Sequence, residues 1–213
     1  GRREAPKFEQ VAPGVAKHEQ EIVLAPGVEP ESDRYLPLRV AAAAAEFELP
    51  ISPVTLQNLR RCPIRDSVWD DESRQLFVRL LASGPALMRV WEELDFVDIP
   101  GRWMPEWLGI RNRPSASAAH RYTIDRHSVE VTSRLARVSA ARGERYDDRH
   151  YTALLLAGLL HDVGKRPFVT DHAAEGARHA AVIMKRMGFD ADIARWVRIL
   201  VREHLTLSEF ATG

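Results

Sequence analysis

The sequence is short of cysteine, of long apolar runs, of strand signals and of net charge. Each shortage narrows what the chain can be. Cys62 is the single cysteine, so no intrachain disulfide forms, which fits a reducing, cytoplasmic setting. The longest apolar stretch, "ALLLAGLL" at 153–160, falls far below the roughly 20 residues that span a bilayer. The N-terminus, "GRREAPKFEQ", has no apolar signal core and reads as the edge of an excised fragment. Lys and Arg total 30 and Asp and Glu total 30, leaving a formal net charge of zero. That balance argues against a dominant nucleic-acid footprint. No internal repeat is present, and the five alanines at 41–45 are the only low-complexity run.

What remains is ample for a folded protein. With 213 residues and 45% apolar content, the chain can bury one large core or two small ones. Residues 1–34 are irregular, and "FEQVAPGVAKH" and "EIVLAPGV" pair as a β-hairpin turning near Glu19 and Gln20. From Leu36 the pattern is helical. "LPLRVAAAAAEFEL" is Ala-rich. Ser52 and Pro53 start the next helix. "DDESRQLFVRLLAS" puts Leu76, Val78, Leu80 and Leu81 on one side, and Pro85 opens another helix after Gly84. The stretch 99–122 joins two subregions. Trp103 and Trp107 within it sit four apart, on one helix face as part of a core. Arg111, Arg113, Arg121 and Arg126 are by default a solvated surface. Four helices follow at 123–141, 149–163, 171–187 and 190–204, separated by Gly- or Pro-bearing breaks. The expectation is an all-α fold, a helical bundle over 99–213 preceded over 1–98 by a linker and a smaller helical region with its N-terminal hairpin.

The histidines carry the chemistry. His127 lies near the start of its helix. His161 and Asp162 end the next, with Gly164 suited to a left-handed cap. His172 opens the third and His204 closes the fourth. A buried His-Asp pair is costly unless both polar groups are compensated. Helix ends meeting in an antiparallel bundle would supply imidazoles and a carboxylate, a donor set for Zn, Mn, Fe, Co or Ni rather than Ca or Mg. Asp162 has two oxygens and can join two ions. Such an ion activates water and stabilises charge on a phosphoryl group. His18 carries no chemical signal, and His150 and His179 are ordinary surface histidines, His179 on a solvated face.

The order of His127, "HDVGK" at 161–165, "DHAAEGAR" at 171–178 and His204 resembles the HD superfamily of metal-dependent phosphohydrolases. "RNRPSASAAHRYTIDRHSVEV", "LLLAGLLHDVGK", "DHAAEGARHAAVIMKRMGF" and "VRILVREHLTLSEFAT" are similar to the HD domain of the bifunctional PII uridylyltransferase/uridylyl-removing enzymes. The upstream "VAPGV", "EIVLA" and "LPLRVAAAAA" resemble their actinobacterial type, in which the nucleotide is AMP rather than UMP. The resemblance covers nearly the whole chain and is strongest over 100–212.

It implies a phosphodiesterase that removes the nucleotidyl group from a tyrosine of the PII nitrogen-regulatory protein. It implies one or two divalent ions, Mn, Fe, Zn or Mg. His127, His161 and Asp162 match a first metal-ligand set, and His172 and His204 complete a second position. Asp162 is then the central catalytic carboxylate. Lys165 faces phosphate oxygens, or is equally a solvated cation at a helix end. Arg121 and His120 are further phosphate- or substrate-binding candidates. The resemblance also implies an upstream nucleotidyltransferase domain and downstream ACT domains, neither visible here.

The family's closing aspartate is missing, since the chain stops at "ATG". Asp171, Asp190 and Asp192 are more simply helix N-terminal residues. Two other readings stand beside this one. The first is an HD-type hydrolase of free nucleotides; a cyclic-dinucleotide substrate is disfavoured because no Gly-Tyr-Pro follows "HDVGK". The second is a non-catalytic module that binds PII or nucleotide within a multidomain sensor.

Overall fold

The computed structural model describes residues 7–64, 68–115, 122–142 and 148–212. Three short strands come first: β1 (Glu9–Ala12), β2 (Val15–His18) and β3 (Glu21–Leu24), antiparallel in the order β1-β2-β3. The expected hairpin is β2–β3, in which His18 pairs with Glu21 across Glu19 and Gln20. The added strand comes from breaking "FEQVAPGVAKH" at Pro13–Gly14, where Gly14 takes φ +76°, a conformation that costs glycine nothing. Val15, Ala16 and Ile22 are fully buried. The far edge of β3 is tied down by Ile22 N–H donating to Pro50 O at 2.8 Å and Ser52 N–H donating to Ile22 O at 3.0 Å.

Nine α-helices are present among the described residues. The first five are α1 (Leu36–Glu46), α2 (Pro53–Leu59), α3 (Asp71–Leu81), α4 (Pro85–Phe96) and α5 (Ile99–Trp103), followed by a 3-10 turn at Pro105–Gly109. The five alanines of α1 are all buried. With only methyl groups on that face, α1 approaches β2, β3, α3 and α4 closely. The Ser52 hydroxyl accepts from Thr55 N–H at 3.1 Å and Asp70 Oδ1 accepts from Ser73 N–H at 2.8 Å. Both are side-chain caps on otherwise unpaired amides. On α3 the buried face is Ser73, Phe77, Leu80 and Leu81, a clean helical stripe. Leu76 and Val78 lie at its margin, and Phe77 replaces them at the centre.

Trp103 and Trp107 are both core, but not on one helix. Pro105 ends α5 and starts the 3-10 turn, so the two indoles reach Trp91 from different directions, with ring centroids 6.3 Å and 5.3 Å away. The flanking arginines are engaged locally. Arg111 pairs with Asp95 at 2.9 Å and Asp98 at 3.1 Å, and Arg126 pairs with Glu92 at 2.7 Å. Arg113 Nε donates to Gly109 O at 3.0 Å.

The second half is a bundle of α6 (Ile124–Arg142), α7 (Asp148–Leu160), α8 (His172–Met187) and α9 (Ala191–Thr212). Helices α7 and α8 both pack on α9, and α6 packs on α7. Two expected ends move. Helix α7 stops at Leu160 instead of 163, because the buried run "ALLLAGLL" ends there and the polar pair that follows turns tightly. Val163 N–H donates to Leu160 O and Lys165 N–H to Asp162 O, both at 3.0 Å. Helix α9 meets no breaker after His204 and runs on to Thr212, so His204 lies inside it rather than closing it.

Gly164 is not a left-handed cap. Its role is close approach: a Cβ there would collide with the backbone of α8, at the His172 carbonyl, the Gly176 amide and the Gly176 Cα, the last at 2.8 Å. The turn after α7 therefore rests directly on the first turns of α8. Gly164→Ala is expected to destabilise the chain by about 3 kcal/mol, as overpacking against rigid backbone does, and to lower Tm by about 6–12 °C. Thermal unfolding followed by circular dichroism checks this.

Candidate metal centre

The contact between that turn and α8 brings the polar pair to the middle of the bundle. Asp162 is 2% exposed. His127, on the first full turn of α6, and His161 join it: their donor atoms and a carboxylate oxygen of Asp162 all lie within 4.8 Å of one another. The His127 and His161 rings stand edge to face with centroids 5.5 Å apart. On the other side the His204 ring lies 5.3 Å from that of His161. His204 Nε2 is 3.5 Å from Asp162 Oδ1, and His161 Nε2 is 3.3 Å from Asp162 Oδ2.

The orientation of two rings is fixed by backbone. His161 Nδ1 lies 2.8 Å from Gly158 O, and His204 Nδ1 lies 2.7 Å from Val201 O. A carbonyl only accepts, so each Nδ1 carries the proton, and in the neutral ring each Nε2 presents a lone pair. Two lone pairs then face one carboxylate. The arrangement is repulsive unless positive charge lies among them, as protons on the rings or as a cation.

The electrostatics run the same way. Burial alone would raise the Asp162 carboxyl, but His161, His204 and the Lys165 ammonium hold it well below the usual carboxylate range. Burial would lower His204, yet Asp162 and the Val201 carbonyl raise it above the ordinary imidazole value.

Lys165 Nζ donates to Asp162 Oδ2 at 2.8 Å, so Lys165 is a half-buried partner of the carboxylate rather than a solvated cation. Asp162 Oδ1 is buried and makes no hydrogen bond among the described residues. An unsatisfied oxygen on a buried, ionised carboxylate beside imidazole lone pairs fits a divalent ion of borderline softness. His172 opens α8, and its buried Nδ1 likewise has no hydrogen-bond partner among the described residues. It is outside the three-residue group. His120 and Arg121 lie outside the described residues.

Three further aspartates have simple explanations. Asp171 caps α8 by accepting from Ala174 N–H at 2.8 Å. Asp190 accepts from Asp192 and Ile193 N–H at 3.0 Å, and Asp192 pairs with Arg195 and Arg149.

His179 is a correction. It is 8% exposed, not solvated, with Nε2 2.9 Å from Glu175 Oε1. It belongs to a set of groups that no local pattern connects. Arg166 donates to Glu106 O at 2.6 Å, and the Glu106 carboxylate takes both guanidinium nitrogens of Arg186 at 2.5 and 2.8 Å. The ion pair holds the 3-10 turn at 105–109 against α8, and the Glu106 carbonyl holds Arg166, the residue next to Lys165. Glu106 and Arg186 are 80 positions apart, and no spacing rule signals such a pair. His150, by contrast, stacks on Trp196 at 4.2 Å, away from this cluster in the sequence.

Residues 124–209 match the model of the HD domain family. The match begins with α6, the helix of His127, and ends beyond His204. Residues 124–209 are an HD domain. It is 39% identical over 206 residues to a bifunctional uridylyltransferase/uridylyl-removing enzyme of Streptomyces coelicolor, covering 95% of this chain and 24% of that protein. It is 39% identical over 208 residues to the protein of that name from Mycobacterium tuberculosis, covering 97% of this chain and 25% of the other. Against the one from Corynebacterium glutamicum it is 34% identical, over 84% of this chain and 25% of that protein. The chain thus spans about a quarter of the length of these curated relatives. No helix among the described residues is long and apolar enough to cross a membrane.

The cluster makes a direct prediction. After dialysis against Mn²⁺ and removal of excess, the HD-domain chain should retain metal, measured by inductively coupled plasma mass spectrometry. Asp162→Asn, which keeps the shape and removes the charge, should retain less than about a tenth as much, since losing even an outer-sphere partner of a metal ligand costs 10–100-fold in affinity.

Proposed function

We propose that this HD domain is a metal-dependent phosphodiesterase that hydrolyses the bond between a nucleotidyl group, UMP or AMP, and a tyrosine of a PII protein. The observation that carries the reading is the meeting of His127, His161 and Asp162 within 4.8 Å, in a chain whose relatives are named uridylyl-removing enzymes.

In this reading His127, His161 and Asp162 hold the ion, with His204 and His172 offered to a second position. A bound ion of this kind lowers the pKa of water towards neutrality and stabilises negative charge on phosphoryl oxygens. Asp162 keeps its charge because its partners depress its pKa, so it is ready to ligate at neutral pH. The backbone bonds of His161 and His204 keep each Nε2 aimed at the centre with no reorganisation. Lys165, already on Asp162, is placed to neutralise a phosphate oxygen, and Arg121 and His120 are assigned to the phosphate or substrate. Water oxygen attacks phosphorus, the bond from phosphorus to the tyrosine oxygen breaks, and the leaving phenolate takes up a proton. The products are nucleoside monophosphate and free tyrosine.

In this reading the domain works within a longer cytoplasmic nitrogen sensor that also carries nucleotidyltransferase and ACT domains, for which the quarter of its relatives' length that this chain spans leaves room.

The test is incubation with nucleotidylated PII and Mn²⁺, with release of UMP or AMP followed by chromatography. Release should stop with a chelator and fall at least about 100-fold in Asp162→Asn. Hydrolysis of free nucleotides without release from PII would favour the broader nucleotide hydrolase. Binding of PII without turnover would favour the docking module.

A further inference from the structure

The loop between Lys165 and His172 holds an aromatic residue whose presence the fold does not explain. Val169 N–H donates to Arg166 O at 3.4 Å, closing a four-residue turn with Pro167 second and Phe168 third. Phe168 has φ +64°. Proline second and positive φ third is the pattern of a type II turn, whose third position favours glycine or asparagine. A bulky side chain there strains the backbone. The ring regains nothing by packing, for Phe168 is fully exposed.

The turn itself is well anchored. Arg166 is held by Glu106 O at 2.6 Å, Lys165 by Asp162 at 2.8 Å, and the far end enters α8 at His172 beneath the Asp171 cap. Phe168 is three residues from Lys165, at most about 11 Å along the chain. The Phe168 backbone therefore lies close to Lys165, whose ammonium is on Asp162, and its exposed ring is open to a ligand.

The geometry points to Phe168 as a stacking platform for the nucleobase of the nucleotidyl group whose phosphate sits at Asp162 and Lys165. This rests on the hydrolase reading above and adds to it the residue that holds the nucleoside. A nucleoside joined to a phosphorus at the centre extends outward to the rim, and a solvent-facing ring is the surface on which a flat base gains most. Stacking on a lone aromatic ring tolerates any base, so Phe168 serves uracil and adenine alike and does not choose between them.

The test uses the 213-residue chain. Binding of etheno-AMP is measured by fluorescence anisotropy without metal. Hydrolysis of uridine 5′-p-nitrophenyl phosphate and of methyl p-nitrophenyl phosphate is measured with Mn²⁺; the two share a leaving group and differ in the nucleoside. Phe168→Gly should weaken etheno-AMP binding about tenfold and lower the preference for the uridine ester about tenfold, within the range of one base on one ring. Its melting midpoint should be equal to or higher than that of the wild type, because glycine relieves the positive φ. Phe168→Trp should keep affinity and preference.

Unchanged binding and preference in Phe168→Gly overturns the proposal. So does a lowered midpoint, which makes the ring structural, and so does a wild type that does not bind etheno-AMP. A wild type that binds etheno-AMP but hydrolyses neither ester defeats the hydrolase reading instead, and the anisotropy comparison still decides the stacking.

Discussion

A carboxylate at 2% exposure, that of Asp162, is the constraint around which the bundle is arranged. Ionised and buried, it is tolerable only with positive charge beside it. Lys165 supplies part of that charge through Oδ2, while Oδ1 has no hydrogen bond among the described residues. Imidazole nitrogens from α6, from the turn after α7 and from α9 surround it. The helices are therefore fixed at their meeting point by chemistry as well as by packing. That meeting point has the unsatisfied acceptor that an ion would complete.

Packing delivers the carboxylate to that place. The buried run 153–160 drives α7 into the core and stops at Leu160, which leaves His161 and Asp162 on a turn free to project towards the centre. Gly164 lets the turn lie against the α8 backbone without a side chain between them. The Glu106–Arg186 pair then holds the 3-10 turn from the first half of the chain on the outside of α8, and the Glu106 carbonyl holds Arg166. The N-terminal half thus supports the centre structurally although none of its described residues joins the His and Asp cluster.

Much of this was legible in the sequence because helical periodicity and caps are local. The all-α class, the β2–β3 turn at Glu19–Gln20, the Ser52–Pro53 start and the run of histidines at 127, 161, 172 and 204 each follow from neighbouring residues. What failed to show depends on partners distant in sequence. Gly164 invites the commonest explanation for a glycine after a helix, and only the backbone of α8 reveals the other one. His179 follows an arginine and looks solvated, but it is covered in the fold and faces Glu175. Pro105 splits Trp103 from Trp107, so their spacing of four does not mean one helix face. His204 is the last histidine of the sequence but not the end of its helix, which "LTLSEFAT" continues to Thr212. The metal-ligand roles remain a proposal that the proximity of His127, His161 and Asp162 supports.

The most direct measurement is anomalous scattering from crystals of the metal-loaded protein, collected on either side of the Mn, Fe and Zn absorption edges. An anomalous peak is expected about 2.0–2.3 Å from the His127, His161 and Asp162 donor atoms. A peak elsewhere in the molecule, or none at this cluster after loading, would contradict that expectation.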